Sequence, residues 1–140
     1  MVFLDSDHMS LIERGGAESQ RIRARLRNVP LDDVATTLIS YEEQTRGWLA
    51  RIAQASTSEQ QIFRYGELLR QLRNYCDTAI IPYDAKAAQI YEDLRRQRIR
   101  IGTQDLKIAA ITLANDALLL TRNIQHFAKV PNLKYEDWSE

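Results

Sequence analysis

The chain begins MVFLDSDHMS over residues 1–10, where a short apolar run leads directly into two acids. A run of Val2, Phe3 and Leu4 without polar alternation is typical of a strand covered on both faces, as in a parallel sheet flanked by helices. Asp5 then lies at the carboxyl end of that strand, which is the edge where open α/β sheets place their ligands. These ten residues predict a layered α/β fold and the edge that carries its site.

The same pattern recurs along the rest of the chain. Further short apolar runs predict strands at residues 34–39, 79–81, 117–120 and 133–135. The segments between them carry apolar residues at helical spacing, most clearly residues 58–75, and Asp84 is a candidate N-cap for a helix that ends near residue 98. Because strands and helices alternate, we expect a three-layer α/β/α sandwich with a mostly parallel central sheet of four to five strands.

Length and composition limit the number of domains, the partners and the cellular compartment that we expect. A chain of 140 residues suits a single domain spanning residues 1–140. Acidic and basic residues both number 19, so no overall field indicates a nucleic-acid or membrane partner. The one cysteine, Cys76, excludes an intrachain disulfide and fits a reducing compartment. No apolar run is long enough to span a bilayer, so we expect a cytoplasmic protein without a membrane partner.

Polar side chains follow several of the predicted strands. Asp5 follows the first strand, Glu43 lies just beyond the second, and Asn123 follows the fourth. Asp105 lies in the first turn of a helix that is apolar on nearly every side. Because the carboxyl ends of parallel strands meet at one edge, we expect these four side chains to converge.

Each of these residues also has a purely structural interpretation. Ser40 and Glu43 match the S-x-x-E capping box, in which Glu43 only bonds a backbone N–H. Asp105 suits the positive end of a helix dipole, and Asn123 is an ordinary turn residue. Asp7 is a good N-cap for the first helix. The structural interpretation is weakest for Asp5, because a carboxylate at the end of a buried strand must find hydrogen bonds or a cation.

The occurrence of several acids at one predicted edge favours a metal site. Three converging carboxylates raise one another's pKa unless a cation lies between them. Oxygen ligands favour Mg²⁺ or Mn²⁺ over zinc, and such an ion can activate water and stabilise charge on a phosphoryl oxygen. The sequence therefore predicts an ion held by Asp5, Glu43 and Asp105, and hydrolysis of a phosphodiester.

Four segments in order resemble one family across nearly the whole chain. They are FLDSDHMSLIERG (3–15), TLISYEEQTRGWL (37–49), IGTQDLKIAAITLANDALLLTRNIQHFAKVPNL (101–133) and KYEDW (134–138). Together they resemble the PIN-domain ribonucleases, and specifically the VapC-type toxins of bacterial toxin–antitoxin pairs. The resemblance implies a metal-dependent endoribonuclease that cleaves structured RNA such as tRNA or rRNA. It also implies a cognate antitoxin protein and a homodimer.

The resemblance places the family's site on particular residues. Its first and third acids fall on Asp5 and Asp105, and its second falls on Glu43 because Gly47 fixes the register. Its fourth position, an acid in many PIN domains, is Asn123 here, which leaves three carboxylates. Two further groups of residues complete the predicted site. Those expected to orient the acids and Asn123 are Ser6, Asp7 and Thr121. The cations expected to contact RNA are Arg46, Lys107 and Arg122. His126 is expected to be a hydrogen-bonded structural residue rather than a base, since a metal can supply hydroxide.

Three other functions remain open at this stage. The run from Phe3 to Asp7 also resembles the start of haloacid-dehalogenase-like phosphatases, in which Asp5 would be the nucleophile and Asp7 the general acid. A PIN nuclease could instead serve RNA maturation without an antitoxin. In a third interpretation the acids only dock a basic partner and catalyse nothing.

Overall fold

A single five-stranded sheet organises the chain, which a computed structural model describes over residues 1–140. All neighbouring strands are parallel, and their order is β3-β2-β1-β4-β5. The strands are β1 (Val2–Leu4), β2 (Val34–Thr37), β3 (Ala79–Ile81), β4 (Leu118–Leu120) and β5 (Lys134–Glu136). The predicted parallel α/β architecture is confirmed, and three of the strand positions differ from prediction by only one or two residues.

Helices cover both faces of this sheet. They are α1 (Ser6–Arg14), α2 (Ala17–Leu26), α3 (Leu38–Ala53), α4 (Ser58–Cys76), α5 (Ala85–Arg96), α6 (Thr103–Ala114) and α7 (Ile124–Phe127), with a 3₁₀ turn at Leu31–Asp33. Because successive strand residues point to opposite faces, Phe3 joins a core with α6, whereas Val2 and Leu4 join a second core with α1. No helix combines the length and apolarity that a bilayer span requires.

Two predicted helix caps are wrong, and the reason is where the strands end. Residues 38–39 are helical rather than extended, because the Thr37 side chain caps α3 by accepting the Ser40 N–H at 3.1 Å. Ser40 therefore lies inside the helix and forms no capping box with Glu43. In α1 the N-cap is Asp5, which accepts the His8 N–H at 2.9 Å, and Asp7 lies within the first turn.

Helix α4 is confirmed, but most of the apolar residues that reveal it in the sequence are exposed. Ile62 is 73% exposed, and Tyr65, Leu69 and Leu72 are also exposed. The contacts that fix α4 are instead largely polar and join it to α3. Gln71 donates to the Thr45 hydroxyl at 2.8 Å, and the Tyr75 hydroxyl donates to the Gln44 side chain at 2.5 Å.

Two isoleucines in different helices differ strongly in burial. Ile111 in α6 is fully buried, whereas Ile62 in α4 is largely exposed. We expect Ile111→Ala to lower the free energy of unfolding by about 2–5 kcal/mol, because it opens a cavity in the core. Ile62→Ala should change it by less than about 0.5 kcal/mol. Urea denaturation of both variants measures the difference, and equal losses would contradict this packing.

Candidate active site

The sheet order brings the predicted polar residues to one edge. Strands β2, β1 and β4 are neighbours in the middle of the sheet. Asp5 directly follows β1, Glu43 lies in α3 directly after β2, and Asn123 follows β4. Asp105 lies in the first turn of α6 and reaches the same edge, where it contacts Asn123. The convergence expected from parallel strand ends is therefore present in the backbone.

Asp105 and Asn123 are joined by hydrogen bonds that also include His126. The Asn123 amide donates to Asp105 Oδ2 at 3.2 Å, and His126 Nδ1 lies 3.1 Å from the same oxygen. Behind them, the buried Thr121 hydroxyl accepts the Asn123 backbone N–H at 2.9 Å. Thr121 thus fixes the start of the turn that carries Asn123, and His126 is hydrogen-bonded, as predicted.

Glu43 links α3 to α1. The Ser6 hydroxyl donates to Glu43 Oε2 at 3.2 Å, and both residues line one cleft. Burial, followed by the charges of Asp105, Asp5 and Asp7, raises the pKa of Glu43 to about 7, although the Ser6 bond opposes this shift. Burial, reinforced by the acidic neighbours, therefore makes the Glu43 carboxyl retain its proton to a higher pH than an ordinary glutamate does.

Asp5 and Asp7 meet different surroundings although only one residue separates them. Asp5 is 6% exposed and uses Oδ1 to cap α1. Partial burial and the Asp5 charge raise the pKa of Asp7, and the Arg122 guanidinium opposes that shift. Arg122 therefore approaches the acidic edge, although its guanidinium pairs with Glu18 at 3.3 Å.

The donors at this edge suit a hard divalent cation. Carboxylate and amide oxygens are the ligands that Mg²⁺ and Mn²⁺ prefer. Burial and then the neighbouring carboxylates raise the pKa of Glu43, and a bound cation would oppose both effects. In this conformation no three His, Cys, Asp or Glu side chains come close enough together to hold one ion. The donor chemistry fits a metal, although these side chains do not form a shared ligand set in this conformation.

A cleft of about 300 Å³ adjoins Glu43 and contains cations that sequence reasoning missed. Arg14 and Arg51 line it together with Trp48, and the Arg51 guanidinium lies 4.5 Å from the centre of the Trp48 ring. A signal for both arginines was present in the sequence. Residues 6, 10 and 14 on α1, and residues 43, 47 and 51 on α3, recur every four positions and so share a helix face.

None of the three predicted RNA-contacting cations, Arg46, Lys107 and Arg122, lines the cleft beside Glu43. Arg46 pairs with Glu42 at 2.7 Å, and both line a separate groove beside Tyr83. Lys107 Nζ lies 5.8 Å from the centres of the Tyr83 and Tyr91 rings. Contact of these three cations with RNA stays a prediction.

The titration of Glu43 should appear in the stability of the protein. Because its folded pKa is raised from 4.5 to about 7, the unfolded chain loses this proton first, and stability falls as pH rises between these values. Glu43→Gln removes the titration, so the variant should gain stability relative to wild type from pH 5 to pH 8. We expect a gain on the order of 1 kcal/mol, since solvent screens a half-exposed group. Urea denaturation of wild type and Glu43→Gln at pH 5 and pH 8 measures this gain. If the two proteins differ by the same free energy of unfolding at both pH values, the raised pKa of Glu43 is contradicted.

Comparison with known proteins gives a consistent set of relatives. No family model matches the chain. Ribonuclease VapC1 of Haemophilus influenzae strain R2866 is 31% identical over 114 residues, which cover 80% of this chain and 79% of that protein. Ribonuclease VapC2 of Rickettsia felis is 38% identical over 65 residues. The tRNA(fMet)-specific endonuclease VapC of Shigella flexneri is 36% identical over 64 residues. The last two alignments span 44% and 43% of this chain, and 48% of each relative.

Solved structures share the fold along the whole chain. VapBC2 from Rickettsia felis, bound to a DNA fragment from its promoter, matches with a TM-score of 0.70 and 24% identity over 99% of both chains. VapBC-1 from nontypeable Haemophilus influenzae matches with a TM-score of 0.70 and 23% identity over 100% of both chains. Because a relative that is 31% identical aligns with four fifths of the sequence, this chain belongs to the VapC family of PIN-domain ribonucleases.

Proposed function

We propose that this protein is a metal-dependent endoribonuclease that hydrolyses phosphodiester bonds in structured RNA and acts as a toxin. The observation that carries the proposal is the convergence of Asp5, Glu43, Asp105 and Asn123 at the carboxyl edge of β2, β1 and β4. The Shigella flexneri relative is a tRNA(fMet)-specific endonuclease, which supports tRNA as the substrate over rRNA. The relatives are named as ribonucleases, which favours this function over the phosphatase alternative.

Each residue at the edge has a role in this proposal. Asp5, Glu43 and Asp105 would hold Mg²⁺ or Mn²⁺, which when bound supplies activation of water and compensation of phosphoryl charge. The Asn123 amide is held against Asp105, and it would turn to a phosphate oxygen when RNA is bound. Ser6 keeps the Glu43 carboxyl on the α1 side of the cleft.

RNA must approach this edge in spite of its negative charge. Arg14 and Arg51 line the same cleft as Glu43, so they are the cations best placed to hold phosphates beside the acids. Trp48 offers a ring on which a base can stack, as aromatic residues do in single-strand binding. Arg46, Lys107 and Arg122 would then contact nucleotides farther along the RNA.

The proposal includes a protein partner and a cellular setting. The matched structures are toxin–antitoxin complexes, which supports a cognate antitoxin for this chain over a role in RNA maturation alone. The exposed apolar residues of α3 and α4 are consistent with burial against an antitoxin or a second copy in a homodimer. We propose that residues 1–140 act as one domain in the cytoplasm, where a lone exposed cysteine stays reduced.

Asp5→Asn tests catalysis without disturbing the fold. Asparagine caps helices as well as aspartate does, so α1 should stay intact while the charge at the site is lost. We expect cleavage of total RNA in Mn²⁺ to fall at least about 100-fold with no loss of melting temperature.

Asp93→Asn is the matched control, because Asp93 is an exposed carboxylate of α5 paired with Arg96. It should cleave RNA at the wild-type rate. Cleavage that is equal in wild type and Asp5→Asn indicates a contaminating nuclease and removes the catalytic claim. That outcome would leave the acids as a docking site for a basic partner.

Arg14→Gln tests the proposed path of RNA. In an Asp5→Asn background that cannot cut, we expect the variant to bind a structured RNA roughly fivefold more weakly, or about 1 kcal/mol. The slope of log affinity against log salt should fall by about 0.7 to 1, as expected for one lost phosphate contact. Fluorescence anisotropy at several salt concentrations measures both quantities. Arg96→Gln is the control, and an equal effect from it would refute a specific role for Arg14.

A further inference from the structure

His8 is a fully buried histidine in the first helix, three residues after Asp5. Its two ring nitrogens have different surroundings. Nε2 accepts the backbone N–H of Trp138 at 3.2 Å. A ring nitrogen that accepts a hydrogen bond carries no proton, so a neutral His8 has its proton on Nδ1.

Nδ1 is a buried polar atom that makes no hydrogen bond. A buried N–H that lacks an acceptor is costly, so this proton needs one nearby. Asp5 Oδ1 lies 3.4 Å from it. The same oxygen accepts the His8 backbone N–H, and no protein donor bonds the other oxygen, Oδ2.

The orientation of the His8 ring depends on a segment far along the chain, residues 136–139. Trp138 is 6% exposed, and its indole N–H donates to Glu136 at 2.6 Å. Arg25 of α2 pairs with Glu136 at 2.8 Å and lies 4.4 Å from the centre of the Trp138 ring. The backbone N–H that faces His8 Nε2 is therefore held by several independent contacts.

A competing acceptor near the ring is already occupied. Asp137 Oδ1 lies 3.6 Å from His8 Nε2 and could draw the ring proton to that side. The same oxygen accepts both the backbone N–H and the hydroxyl of Ser139, at 2.8 and 2.6 Å. The Trp138 N–H is the closer neighbour of Nε2, so the proton stays on the Asp5 side.

We propose that His8 is a positioning residue for Asp5, and that residues 136–139 set its ring. Nδ1 lies 3.4 Å from Asp5 Oδ1. A small closing of that distance would form an Nδ1–H bond that fixes Oδ1 and leaves Oδ2 as the oxygen free to bind a cation. The inference rests on the proposed role of Asp5 at a divalent-metal site, and it adds a dependence of that site on a segment that contains none of the proposed ligands.

Substitution of His8 by asparagine or by glutamine tests the roles of the two ring nitrogens separately. In His8→Asn the amide lies close to the former Nδ1 position and can still donate to Asp5. In His8→Gln it lies close to the former Nε2 position and can still accept from Trp138, but the donor to Asp5 is lost. We expect His8→Asn to keep kcat and Mn²⁺ affinity within about threefold of wild type, and His8→Gln to lower both about tenfold or more.

Stability and RNA affinity provide the controls for this pair. Both variants lose one buried hydrogen bond and part of the ring volume, so their melting temperatures should fall by similar amounts. KM for RNA should be unchanged in both, because His8 contacts no proposed RNA-binding residue. Equal losses of kcat and Mn²⁺ affinity in the two variants would show that His8 only supports folding, and would overturn the inference.

The ring itself can be examined without metal or RNA. His8 and His126 are the only histidines, so the signals that disappear from a ¹⁵N-histidine spectrum in His8→Asn belong to His8. We expect those signals to show the Nδ1–H tautomer, and an Nε2–H tautomer would overturn the inference. Because this measurement does not require cleavage, a wild-type protein that proves inactive on RNA would refute the proposed function and leave the His8 result to be judged on its own.

Discussion

Negative charge gathered at the carboxyl edge of a parallel sheet is the constraint on which the rest of this site depends. Each acid is stabilised differently. Asp5 accepts a backbone N–H of α1, Glu43 accepts the Ser6 hydroxyl, and Asp105 is bonded by Asn123. These bonds do not offset the burial of Glu43 and the charges of Asp105, Asp5 and Asp7, which together keep the pKa of Glu43 raised. An edge that holds its acids by local hydrogen bonds, and still carries excess charge, can exchange those bonds for a cation.

Several residues at this edge serve the fold and the proposed chemistry together. Asp5 ends the central strand, starts the first helix and supplies a carboxylate. Thr37 ends β2 and caps α3, so it fixes the helix that carries Glu43. Thr121 fixes the turn after β4 through the Asn123 N–H. Secondary structure and site geometry are therefore determined by the same few contacts at strand ends.

The sequence predicts the sheet well because buried parallel strands leave a short apolar run, and the acids after β1 and β2 follow from that pattern. It does not reveal that a β-branched residue such as Thr37 ends a strand by capping a helix. The spacing of apolar residues also does not reveal whether a helix face is buried in the core or exposed, as the apolar face of α4 is. Proximity in sequence also does not predict which cations share the cleft with Glu43. Arg46 is three residues from Glu43 but lines another groove, whereas Arg51, two helical turns away, shares its cleft.

The order of the strands bears on when the protein can become active during its own synthesis. β1 leaves the ribosome first, yet it lies in the middle of the sheet and pairs with β4, at Leu118–Leu120. Asn123 follows β4, so a nascent chain that stops short of it has its first acids but no complete edge. The full set of edge residues therefore exists only after about seven eighths of the 140-residue sequence has been translated.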